Sequence, residues 1–217
     1  MADHVYKFKE VPKGQRWKFF WDYYKYPTLG IIVGVIAVIS ILQTVVFAPK
    51  KDISIIAATQ TYVNQEIWNQ AREALQAMPL DLNEDEKVIV EVNDNHVDPS
   101  MAETDPETYQ MLQTKLVASL STAESALQII DEGTFDYFND EGLLGTYAEL
   151  PDAMGHEKDE IIKIPLSELK PFCDIEGLPE GLFMTLRPEA GMQIYGSEKK
   201  LENYKKQIEV LLLMMQS

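Results

Sequence analysis

The sequence predicts an α/β protein: one transmembrane helix near the N-terminus, then a single lobe with a mainly parallel sheet flanked by helices. Three observations carry this expectation. No charged residue interrupts Tyr26–Pro49, and the stretch Leu29–Phe47 is an apolar run, long enough at about 1.5 Å rise per residue to cross a bilayer's hydrocarbon core. After it, short strand-like segments alternate with segments of helical spacing. The balance of charge also changes sign across the run.

Six basic residues precede the apolar run (Lys7, Lys9, Lys13, Arg16, Lys18 and Lys25), whereas only Lys50 and Lys51 follow it closely. That bias keeps the N-terminus cytoplasmic. The reading is therefore a cytoplasmic basic and aromatic segment at 1–27, a transmembrane signal anchor at 28–48, and an extracytoplasmic domain at 52–217, in a protein that crosses the cell membrane once. Trp17, Trp21, Tyr23, Tyr24 and Tyr26 form an interfacial belt, each with an apolar ring body and a polar tip. A cleaved signal peptide fits less well, because the apolar run is too long and Pro49 would follow the cut after Ala48.

Residues 52–217, 166 in all, suit one domain with a real core. They hold 11 Lys and Arg against 32 Asp and Glu, a net charge of −21. Such a surface repels phosphates, so nucleic acid is not an expected partner. Cys173 is the only cysteine and excludes an internal disulfide. Beside Phe172 it reads as a small buried hydrophobe, with an intermolecular bridge as the alternative.

The elements follow in order. Ile53–Thr59 reads as a buried strand. Apolar residues at helical spacing predict a helix over Asn64–Met78, stopped by Pro79. Val88, Val90 and Val92 alternate as a second strand, ending in the turn Asn93-Asp94-Asn95. Asp105 caps a helix that opens with Pro106 and Glu107 and carries a stripe of Met111, Leu112, Leu116 and Leu120. Ala126–Ile130 is a third strand, followed by a brief helical turn over Phe135–Phe138 that closes at Gly142. Ile161–Pro165 and Leu182–Leu186 are further strands. Ser197 caps a last helix whose stripe of Leu201, Tyr204, Ile208, Leu211, Leu212 and Met215 packs on the sheet; the Leu211–Met215 cluster has a partner or the bilayer as its alternative contact.

This order resembles the first lobe of the bilobed extracellular solute-binding proteins of the periplasmic-binding-protein type. The matching segments are Ile53–Thr59, Glu86-Lys-Val-Ile-Val-Glu-Val-Asn93, Tyr109–Leu120, Ala126-Leu-Gln-Ile-Ile-Asp131 and Gly142-Leu-Leu-Gly-Thr-Tyr-Ala-Glu-Leu150. Behind an aromatic-rich anchor, the whole is also similar to single-pass membrane proteins of Firmicutes. The resemblance implies a periplasmic-binding-protein-like lobe. Only residues 153–217, 65 in all, remain for a second lobe of comparable size. Ile162–Pro165 and Gly181–Met184 stand where the resemblance places the crossing segments.

Parallel sheets bind ligands beyond the carboxyl ends of strands where the strand order reverses. Thr59, Gln60, Thr61 and Tyr62 follow the first strand, and Asp131, Glu132 and Thr134 follow the third, so hydroxyls, an amide and carboxylates converge on one candidate ligand site. The alternative role of these residues is helix capping and turn chemistry. Asp81, Asn83 and Asp85 have the start of a calcium-loop spacing, but Glu86 replaces its glycine and Val92 its bidentate glutamate. His4, His96, His156 and Cys173 have no metal spacing. No phosphate loop, nucleophile elbow or zinc-protease helix is present, so no catalytic residue, metal or cofactor is expected. The resulting expectation is a membrane-tethered, non-catalytic accessory or interaction subunit with an envelope protein as partner. The alternative is a receptor for a small polar or cationic solute.

Overall fold

The computed structural model describes residues 12, 14, 16–46, 51–80, 87–123, 125–192, 194 and 197–216. Asp81, Asn83 and Asp85 lie outside them, as do Lys7, Lys9, Lys13, Phe47, Lys50 and the side chain of Tyr23. The chain divides into two compact units, Met1–Pro49 and Lys50–Ser217.

The first unit is helix α1, Arg16–Val46, 31 residues. Its stretch Tyr24–Leu42 has a mean hydropathy of 2.0 over 19 residues and is the one segment among the described residues long and apolar enough to cross a membrane. Apolar residues occupy every side of it, as lipid-facing helices require. The helix runs through Pro27 without a break. In its first turns Trp17 stacks on Phe20 and Trp21 at 6.0 and 6.4 Å between centroids, Phe20 stacks on Tyr24 at 6.1 Å, and Lys25 lies 5.0 Å from the Tyr26 ring. Aromatic residues three and four apart meet on one helix face, which gives the belt a continuous ring surface.

The second unit is a five-stranded sheet in the order β2-β1-β3-β5-β4. Its strands are β1 Ile53–Thr59, β2 Val90–His96, β3 Leu127–Asp131, β4 Ile164–Pro165 and β5 Leu182–Leu186. The helices are α2 Gln65–Gln76, α3 Met101–Thr104, α4 Pro106–Ser121, α5 Glu132–Asp140 and α6 Glu198–Met215. β1 is parallel to β2 and β3, whereas β5 is antiparallel to both β3 and β4. The sheet is thus mixed and not mainly parallel. Between β4 and β5 the chain makes only a 3₁₀ turn at Leu166–Glu168 and irregular turns, so no crossover helix carries it over a sheet face and it returns antiparallel.

Alternation along β1 explains the three layers. Ile53, Ile55 and Ala57 join one core with Trp68 and Leu75 of α2 and Tyr204, Ile208 and Leu211 of α6; Ile56 and Ala58 join a second with Leu116 and Leu120 of α4 and Phe138 of α5. A strand covered on both faces has no polar side to show, which is why Ile53–Thr59 reads as a continuous apolar run. Asn64, Asp105 and Ser197 cap α2, α4 and α6 through side-chain oxygens that accept N–H groups of the first turn. At the other end of α4, the buried Arg187 donates from Nη1 to Leu120 O at 2.6 Å, satisfying a carbonyl of the last turn.

Several local expectations are corrected. β2 runs on through Asn93, Asp94 and Asn95 to His96, because β1 pairs with it along its whole length, Ile53 with Val90 through Thr59 with His96. As an edge strand it tolerates polar side chains, and Lys115 Nζ donates to the outward carbonyl of Asp94 at 2.5 Å. Met111 is 62% exposed, so the stripe of α4 is Leu112, Leu116 and Leu120. Cys173 is exposed, since the turn that buries Phe172 points its neighbour outward. β4 keeps only Ile164 and Pro165, with Ile161 held in an isolated bridge to Thr146.

Ile129 is fully buried at the centre of β3. Ile129→Ala is expected to lower stability by about 2–5 kcal/mol, the range for deleting a large aliphatic side chain from a packed core, measured by urea unfolding followed through circular dichroism.

Candidate ligand site at the strand ends

The chain passes from β1 to β2 on one side and then crosses to β3 on the other, so the order reverses between the carboxyl ends of β1 and β3. Thr59 ends β1 and Asp131 ends β3. The structure brings Thr59, Gln60 and Thr61 together with Asp131 and Thr134, as the sequence suggests. It does not bring Tyr62 or Glu132 into the same group. Tyr62 turns toward β2, its ring edge against His96 at 5.7 Å. Glu132 turns toward Lys163 Nζ at 2.8 Å, while that ammonium lies 4.2 Å from the Phe183 ring and 4.5 Å from Phe135.

The polar groups that do converge are spent on one another. Asp131 Oδ2 accepts from the backbone N–H of Gln60 at 2.9 Å and of Thr61 at 2.7 Å, and Oδ1 accepts from Thr134 N at 3.1 Å. The Thr134 hydroxyl donates to Ala58 O at 2.9 Å and accepts from Asp131 N at 3.3 Å, completing a capping box for α5. Thr59 Oγ1 donates to Thr61 O at 2.9 Å. Gln60 Nε2 donates to Gly133 O at 2.6 Å, and a Cβ on Gly133 would stand 2.5 Å from Gln60 Oε1, so only glycine lets the amide lie over the crevice. The capping box also explains why α5 is longer than the brief turn its apolar residues suggest.

This arrangement is a clasp. It joins β1, β3 and α5, and Asp131, only 5% exposed, presents no unused face to a ligand. Two cavities open elsewhere, one of ≈ 740 Å³ beside Glu149, Glu189 and Glu198, the other of ≈ 330 Å³ beneath α4 beside Ser54, Asn93 and Ser119; neither is lined by the converging residues. Among the described residues no group of three His, Cys, Asp or Glu side chains is placed to hold a metal. His156 stacks on Tyr147 at 4.0 Å and its Nδ1 lies 3.0 Å from Glu160 Oε2.

One polar group escaped the sequence reading. Asp94 and His96 point from β2 toward Trp68 of α2, and burial raises the Asp94 carboxyl above its ordinary range, against opposing pulls from Lys115, His96 and the Trp68 indole N–H. The signal was present in the alternation that places Asp94 and His96 on the face of Val90 and Val92. Reading Asn93-Asp94-Asn95 as a turn concealed it.

No protein-family model, curated protein or solved structure matches this chain.

Asp131→Ala removes a cap and strands the N–H groups of Gln60 and Thr61, at an expected cost of about 2–4 kcal/mol in urea unfolding; Gly133→Ala only displaces the Gln60 amide and should cost about 1 kcal/mol or less. Asp94 has the opposite character. With its folded pKa above the unfolded one, it binds its proton more tightly in the folded chain, so its contribution weakens stability as pH rises from the unfolded value through the folded one. Asp94→Asn should therefore raise the melting temperature at pH 7, and the gain should vanish once pH falls below the ordinary carboxyl range.

Proposed function

We propose that this protein is a membrane-tethered, non-catalytic accessory subunit of the cell envelope, held by α1 as a single membrane pass with the N-terminus in the cytoplasm and the α/β unit outside it. The observation that carries the reading is the clasp: the carboxylate best placed to meet a solute at the switch point already accepts three backbone N–H groups. A lobe whose ligand crevice is closed by its own loops is left with its surface as the means of interaction. The likeness to a solute-binding lobe points the same way. Ile164 and Pro165 of one expected crossing segment pair directly with Met184 and Phe183 of the other, and residues 166–181 between them are too few for a second lobe.

The partner contacts an acidic face. Glu132, Asp136 and Asp140 recur along α5 at intervals of four, which places them on one side of that helix, so a basic envelope protein surface is the complement.

Cys173 gives the test of topology, since it is the only cysteine and is exposed. A membrane-impermeant maleimide should label it in intact cells; labelling only after permeabilisation would place the unit in the cytoplasm and overturn the reading. A photo-crosslinking residue at Tyr137, 44% exposed on α5, should yield one discrete protein adduct in native membranes, diminished by the double change Asp136→Lys and Asp140→Lys. A saturable thermal shift with a small cationic solute, lost in Gln60→Ala, would instead establish a receptor at the strand ends.

A further inference from the structure

Helix α4 departs from the charge of its own domain. Residues 52–217 hold 32 Asp and Glu, yet none falls between Thr108 and Ala123, where Lys115 is the only charged residue. The other long helices of the unit keep carboxylates beyond their first turn: Glu73 in α2, Asp136 and Asp140 in α5, Glu202 and Glu209 in α6. α4 turns Leu112, Leu116 and Leu120 into the core and leaves Met111, Thr114, Val117 and Ala118 exposed, Met111 at 62% and Val117 at 55%. The ammonium of Lys115 is drawn aside onto Asp94 O. A face with apolar side chains in the open and no carboxylate has the composition of an interface core, where charged residues are depleted and Met is enriched.

The charge of the domain decides what can cover that face. A basic partner finds no carboxylate on it to pair with and is drawn to α5 instead. A second copy of this chain carries the same net −21 in residues 52–217, so contact between two of its acidic surfaces is repelled. Screening confines that repulsion to about 8 Å at physiological ionic strength, and a contact made wholly by neutral residues escapes it. α4 supplies such residues to both copies at once. Helical spacing gathers them: at about 100° per residue, Met111, Thr114 and Ala118 lie within about 60° of one another, opposite the leucine stripe, with Val117 on the flank.

We propose that this face of α4 is a self-association surface, through which two copies of the chain pair α4 against α4 about a two-fold axis. A two-fold contact places each residue of the seam near its own counterpart, so Thr114 and Ala118 of one copy stand beside Thr114 and Ala118 of the other whichever way the two helices run. Both are small enough to bring the helix axes close, and Met111 and Val117 fill the sides of the seam. The pairing uses none of the α5 carboxylates, so it stands independently of the partner proposed above.

The test uses the full chain in cell membranes with Cys173→Ser, so that a cysteine introduced on α4 is the only one. Under mild copper-catalysed air oxidation, Thr114→Cys should form a disulfide-linked dimer at about tenfold the yield of Lys199→Cys, an exposed position on α6. In the Thr114→Cys background, Ala118→Glu or Ala118→Lys alone sets two like charges against each other and should reduce the dimer about tenfold. Co-expressed with tags of different size, the Glu and Lys chains should restore it as the mixed dimer, which also shows that both variants fold. Asp136→Lys with Asp140→Lys should leave the dimer intact. Equal yields from Thr114→Cys and Lys199→Cys would mean chance collision and would overturn the proposal. So would a mixed dimer that fails to form, or a dimer lost with the α5 changes. The Tyr137 adduct with a foreign protein is read separately, so either proposal can fail without the other.

Discussion

The carboxylate of Asp131 is the constraint on which the arrangement of the α/β unit turns. It ends the central strand β3, caps α5, and reaches across to take two N–H groups from the loop that leaves β1. Those two N–H groups follow the last residue of β1, where sheet pairing no longer supplies them with partners, and burying them unpaired would cost more than any single hydrogen bond contributes. One side chain thus fixes where β1 ends, how the loop to α2 departs and where α5 begins. The same fixation removes the carboxylate from the chemistry its position invites. A switch point is a place for ligands because strand ends diverge there; here the divergence is bridged by the protein's own backbone.

The other edge of the sheet follows a related logic. β5 lies antiparallel between β3 and β4, so the chain that departs along β4 returns directly into the sheet. The last helix then covers the face already occupied by α2, with Tyr204 buried and its hydroxyl donating to Arg187 O at 3.0 Å and lying 3.1 Å from Glu149 Oε2. Burial and the nearby Glu149 carboxylate push that phenol well above its ordinary range, as expected of a group whose O–H is held as a donor. The unit's stability rests on two packed sheet faces, and its one cysteine leaves it without an internal disulfide.

Much of this was legible residue by residue. The short apolar run Ile53–Thr59, the capping residues Asn64, Asp105 and Ser197, and the Pro106 start of α4 are local signals, and each element appears where they place it. The candidate site was legible in part: Thr59, Gln60, Thr61, Asp131 and Thr134 do meet, but as helix-cap and turn chemistry, which the residue types equally allowed. Tyr62 and Glu132 left the group because their neighbours in space, His96 and Lys163, come from distant segments. Asn93-Asp94-Asn95 misled, since turn-forming residues in an edge strand are held extended by pairing that no local pattern encodes. Cys173 and Met111 misled for a simpler reason: a residue type sets a tendency to be buried, and the facing of a turn or helix decides the outcome.

From sequence alone came the apolar helix long enough to span a membrane, the charge contrast on its two sides, and the succession of strands and helices after it. These depend on composition and on short periods, which act over a few residues whatever the rest of the chain does. The tertiary structure alone decided that β5 enters the sheet reversed, that Asp131 is consumed by Gln60 and Thr61, and that the Asp94 carboxyl is brought within reach of the Trp68 indole. Each of these is a pairing between segments tens of residues apart, settled by which buried donors and acceptors find partners once the sheet has formed.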